Sequence, residues 1–193
     1  MKILLKRAIL FLFFIPALPF IALALLGSLI GLKNIFSTCG QILGLIPGKM
    51  GSFTRVAYYL GTLENMSADV FIDFGSFFAH PTARVGRNVT IGAYCILGTV
   101  TIGDDVLVGS RVSIPSGKYQ HGSSMIRAEE IEEIQYDRII IGDRSWIGEG
   151  AIIMANVGSD AIIGGGSVVT RSIPENRVAL GNPARPVVKR KEN

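Results

Sequence analysis

Two imidazoles are the only side chains in this 193-residue chain that titrate near neutrality without tuning: His80, in FFAHPTARVG, and His121, in VSIPSGKYQHG. An unperturbed imidazole has a pKa of about 6.5, so it can take a proton from a hydroxyl and return it within one reaction cycle. Two histidines are too few for a three-histidine metal site. Cys39 and Cys95 lie far apart and offer no metal-ligand spacing, so they read as free thiols in a reducing compartment. His80 stands directly before Pro81 and reads as a structural or rim-lining residue. His121 is the candidate general base. The stretch that follows it, SSMIRAEEIEEIQYDR, carries Glu129, Glu130, Glu132 and Glu133. Most of these form a solvated face, with Glu130 and Glu133 the candidates for orienting the second imidazole nitrogen.

A base needs a rigid mount, and the surrounding sequence supplies a repeat. From Ile72 the chain counts in sixes: Ile72 and Phe78; Val85, Ile91 and Leu97; Ile102, Val108 and Ile114; then, after a gap, Ile141, Ile147 and Ile153; and finally Val157, Ile163 and Val169. Glycine often follows the apolar residue, and a small residue such as Ser, Val, Ala or Cys recurs four positions after it. Cys95 falls in one of these small slots, where a buried thiol acts as a small hydrophobe. This period fits neither a helix nor a simple alternating strand. It suits a chain that turns a corner every six residues and points one large apolar side chain inward per side. Three sides close a coil, and stacked coils share one core. His121 sits where the count stops, on a loop leaving the coil after Ile114, at a rim and outside the stack.

The pattern [IVL]-G-x-x-[small]-x, together with IGDRSWIGEGAIIMANVGSDAIIGGGSVVTRSIPENRVALGNPARPV, resembles the hexapeptide-repeat acyltransferases, and their sugar and polysaccharide O-acetyltransferases most closely. The resemblance covers about residues 70–188. It implies an all-β fold, a left-handed parallel β-helix, in subunits that generally assemble as homotrimers with a cleft between them. It implies acetyl-CoA as acyl donor, no metal, and a saccharide acceptor. His121 matches the loop that bears the family's catalytic histidine. Trp146 matches a residue lining the acceptor or cofactor cleft. The backbone N–H groups at Gly148 and Glu149 resemble the family's oxyanion site, a role in which preorganised donors need no side chain. Gly164, Gly165 and Gly166 leave a bare surface for a pantetheine arm. Thr170, Arg171 and Arg185 match positions that contact the nucleotide end, where an arginine fork suits phosphate. The same histidine and donor would also serve amino-sugar N-acetylation, and some hexapeptide proteins are non-catalytic binding scaffolds.

Two features depart from the soluble maltose and galactoside enzymes of this group. No acidic acceptor-site residue stands around AYCILGTV before the catalytic loop, and residues 8–32, AILFLFFIPALPFIALALLGSLIGL, carry no charge at all. As a helix at about 1.5 Å per residue, that run is long enough for a hydrocarbon core about 30 Å thick. A secretory signal is a poor fit, because its apolar core is only about 7–15 residues long. A spanning helix and a re-entrant hairpin both fit. Pro16 and Pro19, each of which removes a backbone donor, favour the hairpin broken at FIPALPF. Acetyl-CoA chemistry would place the catalytic domain on the cytosolic side, with both ends of the anchor there. Further on, SFTRVAYYLGTL carries Phe53, Val56, Tyr59, Leu60 and Leu63 at helical spacing. It reads either as packed on the next domain or as lying in the membrane interface, and its aromatics and basic residue favour the interface.

The expected organisation is therefore a membrane anchor over 1–33, an amphipathic helical linker over 34–69, a β-helix over 70–188 with loop 116–138, and a basic tail over 189–193. The charge balance of +4 is too small for nucleic-acid binding and fits work near anionic lipid or with a phosphorylated substrate. The acceptor suggested by these departures is a glycan or lipid-linked saccharide presented at a membrane.

Overall fold

The computed structural model describes residues 2–32, 34–116 and 137–189. From Asn65 onward the chain forms short parallel strands that build three sheets of four, seven and five strands. Successive strands go to successive sheets, so each coil visits all three sides, and the stack is the left-handed parallel β-helix implied by the repeat. Its core consists of three vertical columns. One runs through Val85, Ile102, Ile141, Val157 and Ile173. The second runs through Ile72, Ile91, Val108, Ile147 and Ile163. The third is Phe78, Leu97, Ile114, Ile153 and Val169. Every member of these columns is at most 3% exposed. Each such side chain contributes about 1.5–3 kcal/mol by leaving water. The six-residue count found in the sequence is thus the count of inward side chains.

The glycine after the inward residue has a steric cause. A Cβ on Gly109 would lie 2.7 Å from the nitrogen of Glu149 in the next coil, closer than any side chain tolerates. Two of the three corners turn through a left-handed residue: Asn88, Asp105, Arg144, Asp160 and Asn176 at one, Gly75, Tyr94, Arg111, Gly150 and Gly166 at the next. Asn and Asp adopt this conformation with least strain among residues that carry a Cβ. The third corner is where the coil opens. The chain leaves after Ser113–Ile114, the middle strand of the five-stranded sheet, and rejoins the stack at Ile139–Ile141, which pairs directly with Val100–Ile102. No layer is lost across the insertion.

A stack of coils ends in strands with unpaired backbone groups, and both ends are covered here. At the C-terminal end, Arg177–Gly181 pairs in parallel with Ile162–Ile163, and Ala184–Lys189 folds back antiparallel to it. The sequence reading extended the β-helix to 188 without anticipating this hairpin. At the other end lie three helices, α1 (Lys2–Leu29), α2 (Asn34–Gly44) and α3 (Gly48–Thr62). Residues Ser52, Arg55 and Tyr59 line the face of α3 that meets the first coil. The Ser52 hydroxyl accepts the Ile72 N–H at 3.2 Å, and the Tyr59 hydroxyl accepts the Phe78 N–H at 3.1 Å. Arg55 is fully buried. It donates to Ile72 O through Nε and Nη2 at 3.2 and 3.1 Å, and through Nη1 to Leu43 O, Gly44 O and Ile46 O at 3.0, 3.3 and 2.8 Å. One guanidinium therefore closes the C-terminus of α2 and the edge of the first coil together. Burial pulls its pKa down, against the opposing fields of Tyr59 and Asp73.

Two expectations for the N-terminal third need correction. The segment over 34–69 holds α2 and α3, and α3 does not lie free for a membrane interface: it is buried from Gly51 to Tyr59, Phe53 only in part, between the first coil and α1. Nor does the chain form a hairpin at FIPALPF, because α1 continues through Pro16 and Pro19. Leu10, Ala17, Ile21 and Ala24 of α1 are buried, Phe13 stacks on Phe53 with centroids 5.4 Å apart, and Ile21 packs over Gly61. Lateral packing along this stripe holds the helix together where two donors are missing. The opposite side of α1 remains exposed and apolar.

Arg55→Met should cost at least about 3 kcal/mol in urea unfolding, since it strands several buried carbonyls. Arg144→Ala, which removes an exposed pair with Asp160, should leave the midpoint nearly unchanged. An Arg55→Met protein as stable as the parent would show that α3 is held by its apolar contacts alone.

Candidate functional site

The opened corner is a polar column. His80 lies at this corner in the first coil, Thr99 in the second and Ser116 in the third, following the register of Phe78, Leu97 and Ile114. Ser116 is buried, turns through a left-handed φ of 68°, and its hydroxyl accepts the Thr99 N–H at 2.6 Å. The Thr82 and Thr99 hydroxyls meet at 3.1 Å. On the return side, Arg138 donates to Thr82 O and to Glu64 Oε2, both at 2.8 Å, and Glu64 also pairs with Arg84. Both stems of the insertion are therefore pinned to the coils below. His121 and the four glutamates Glu129, Glu130, Glu132 and Glu133 lie outside the described residues. Ser116, Arg138 and Glu64 were not singled out by sequence. The only hint was that Ser116 follows Pro115 where the count stops.

The residues expected to handle an acyl donor separate onto different parts of the coil. Trp146 is half exposed on the outer face of the seven-stranded sheet, between Leu107 and Ile162 of the neighbouring coils. Gly148 and Glu149 follow it at the next corner. Here the expectation for Gly148 is corrected: its N–H is committed to Ile163 O at 2.8 Å as part of the coil-to-coil ladder, so it cannot serve an oxyanion. The Glu149 N–H makes no backbone bond among the described residues, while the Glu149 carbonyl accepts from Gly166 N at 2.8 Å. The Glu149 side chain points to Arg111, at 2.5 Å.

Gly165 and Gly166 stand above Glu149 and Gly150 at the same corner. Gly166 has a φ of 68° and nothing within 4 Å of where a Cβ would be, so this corner is bare as the sequence implied. Lower coils carry Tyr94 and Arg111 there. Gly164 is different, because its N–H bonds Ala179 O at 2.8 Å and a Cβ would press on Leu180 at 2.9 Å. It is a packing glycine. Arg185 is exposed on the returning hairpin strand opposite Leu180, which brings it to the Gly164 side of the bare corner. Thr170 and Arg171 lie instead beyond Val168–Val169, at the corner from which the insertion leaves lower down. A single chain thus places Gly165, Gly166 and Arg185 together and Thr170 and Arg171 apart from them. No cluster of His, Cys, Asp and Glu among the described residues could hold a metal ion.

Comparison with known proteins bears on the repeat and the fold. The family model described as the hexapeptide repeat of succinyl-transferase matches residues 82–110, 99–117 and 138–171, on either side of the insertion. WbbJ of Escherichia coli (strain K12), named as an O-acetyl transferase of lipopolysaccharide biosynthesis, is 32% identical over 137 residues, which cover 65% of this chain and 69% of WbbJ. The chain spans little more than half the length of other curated relatives it matches. Among solved structures, a maltose O-acetyltransferase from Clostridium difficile 630 superposes with a TM-score of 0.65 at 26% identity, covering 85% of this chain and 89% of that one. A galactoside acetyltransferase in complex with coenzyme A gives a TM-score of 0.66 at 24% identity, covering 81% and 80%, and establishes the shared fold.

Burial lowers the pKa of His80 from its ordinary value. The folded state then binds fewer protons than the unfolded one below about pH 6.5, so stability falls as pH drops through that region. The urea midpoint should decline between pH 7 and 5.5, before Glu64 and Asp104, whose pKa values are lowered by their arginine partners, begin to protonate. His80→Gln should flatten that decline, and an unchanged slope would place its cause elsewhere.

Proposed function

The chain belongs to the hexapeptide-repeat acyltransferase superfamily, and from that premise we propose that it is an acetyl-CoA-dependent O-acetyltransferase acting on a saccharide hydroxyl in polysaccharide or glycolipid assembly at a membrane. The observation that carries the reading is the coil interrupted at one corner, with Ser116 and Arg138 fixing both stems of the segment that bears His121. In the proposed reaction, the His121 imidazole takes the proton of the acceptor hydroxyl as its oxygen attacks the thioester carbonyl. Negative charge gathers on the carbonyl oxygen, and the donor we assign to it is the Glu149 N–H, which makes no backbone bond among the described residues. The C–S bond then breaks, the coenzyme A sulfur takes the proton from the imidazolium, and the ester is released. Gly165 and Gly166 offer the bare surface for the pantetheine arm, and Arg185 the fork for phosphate.

Thr170 and Arg171 can share a cleft with these residues only across a subunit boundary. This supports a homotrimer, in which the inserted corner of one chain faces the glycine corner of the next. Exposed apolar residues on the outer sheet faces, Leu107 and Trp146 on one and Ile96 and Ile152 on another, supply the surface such an assembly would cover. The saccharide class rests on WbbJ and on the maltose and galactoside enzymes. The membrane rests on α1, whose segment Leu10–Leu29 is long and apolar enough to cross a bilayer, and the cytosolic side rests on acetyl-CoA as the donor.

Release of thiol from acetyl-CoA should require a saccharide acceptor, and His121→Ala should lower kcat by about 10²–10⁴-fold with little change in KM for acetyl-CoA. Glu149→Pro should lower kcat by about 10²-fold or more, whereas Glu149→Ala, which keeps the donor, should stay close to the parent. Full activity in His121→Ala sinks the assignment; turnover only with amino sugars would move it to N-acetylation. Light scattering should give the mass of three chains, and Leu107→Glu should reduce it to one.

A further inference from the structure

Residues 1–63 contain Lys2, Lys6, Arg7, Lys33, Lys49 and Arg55 and no acidic residue; the first carboxylate is Glu64. Arg55 is consumed inside the cap; of the other basic residues, Lys2, Lys6 and Arg7 fall in the first two turns of α1, Lys33 follows it in sequence, and Lys49 stands at the start of α3. Between them, α1 divides lengthwise into two halves. Leu10, Ala17, Ile21, Ala24 and Gly27 face α2 and α3, while Phe11, Leu12, Ile15, Leu18, Leu25 and Leu29 face outward, with Phe11 75% and Leu29 82% exposed. From Leu10 onward the outward half carries no charge.

This apolar half could meet a bilayer in two ways, by crossing it or by lying on it. The packing separates them. Phe13 meets Phe53 and Ile21 meets Gly61, so α3 runs alongside α1, and the other side of α3 is hydrogen-bonded to the first coil. A crossing α1 would either carry α3 and the polar edge of the coil into hydrocarbon or peel away and lose its buried stripe. Lying flat, it keeps every contact. The prolines point the same way. Pro16 and Pro19 leave the carbonyls of Leu12 and Ile15 without helical donors, and both residues are on the outward half. Water and headgroups can satisfy such carbonyls at an interface, whereas hydrocarbon cannot.

We propose that α1 is an in-plane anchor that docks the first-coil end of the β-helix onto an anionic lipid surface, apolar half down and basic flanks among the headgroups. The inference deepens the membrane-facing reading above, on which it rests, and it assigns the lipid class and the mode of attachment.

The test uses the full chain with Cys39 and Cys95 replaced by alanine and single cysteines at Phe11, Leu18, Leu25 or Leu29, each carrying an environment-sensitive fluorophore. Mixed with vesicles of phosphatidylcholine alone or with phosphatidylglycerol, the protein should co-float with the anionic vesicles at least about tenfold better. Depth-dependent quenchers should put all four positions at one shallow level. Leu18→Glu with Leu25→Glu, both on exposed positions, should lower flotation at least tenfold while leaving the thermal midpoint in place. A depth that rises and falls along the helix would mean that α1 crosses, and overturns the proposal. So would equal binding to neutral vesicles, or an α1 face covered by a second copy that leaves flotation absent. Thiol release from acetyl-CoA with a soluble saccharide, measured on the same variants without vesicles, reads the enzymatic assignment independently of these outcomes.

Discussion

Arg55 is the contact through which an apolar helical layer can sit on the polar end of a β-helix. The first coil presents outward N–H and C=O groups at Ile72 and Phe78, and a purely apolar helix laid on them would leave each group buried and unpaired, at about 1–3 kcal/mol apiece. Placing Ser52, Arg55 and Tyr59 at i, i+3 and i+7 of α3 puts two hydroxyls and a guanidinium on one face, in line with those groups. The positive charge is not neutralised by a directly bonded carboxylate. It is spread over Ile72 O and the last carbonyls of α2, where the helix dipole is negative. Removal of the guanidinium would therefore disturb α2 and the first coil at once, and α1 packs on α2 and on α3, which carries Arg55.

Many of these arrangements were legible in the sequence because they obey a period. Ile72 through Val169 recur in phase since every coil needs one inward side chain per face, and the glycines after them recur because the next coil passes within van der Waals distance. The bare corner at Gly165 and Gly166 was legible for another reason, as a departure from the period that the family resemblance singles out, since lower coils carry Tyr94 and Arg111 there. What lacked a period stayed hidden. Arg55 looks like any basic residue on an amphipathic helix, because its partners are carbonyls distant in sequence. Gly148 and Gly164 look identical to Gly166 in the one-letter code, yet a Cβ on either of the first two would collide with the neighbouring coil, at 2.5 Å from Gly165 N and 2.9 Å from Leu180 Cβ, while one on Gly166 would meet nothing within 4 Å. Pro16 and Pro19 suggested a break, since the sequence does not show that α3 lies alongside and holds the turns on either side.

The inserted corner illustrates how a repeat can carry chemistry without losing its core. An insertion at either of the other two corners would have to replace a left-handed residue that sets the turn. At the third corner only the coil that opens carries one, Ser116, while His80 and Thr99 in the coils below do not, and the strands on both sides of the gap, Val100–Ile102 and Ile139–Ile141, still pair across it. The cost falls on the stems, whose backbone groups lose a neighbouring coil. Ser116 and Arg138 meet that cost locally, one with a buried hydroxyl and the other with a fork that reaches Thr82 O and Glu64.

Glu64 links this corner to the opposite end of the molecule. It is the first carboxylate in the chain and follows α3 almost immediately, so its position is set by the helical cap, yet it holds Arg138 at the return stem. The ion pair is exposed and contributes little to global stability. Its value is geometric, because the side chain of Arg138 is tied to the first strand after the cap and to the coil wall at Thr82 simultaneously. Local fixing of this kind suits the base proposed for His121, since a general base must lie within hydrogen-bond reach of the proton it takes.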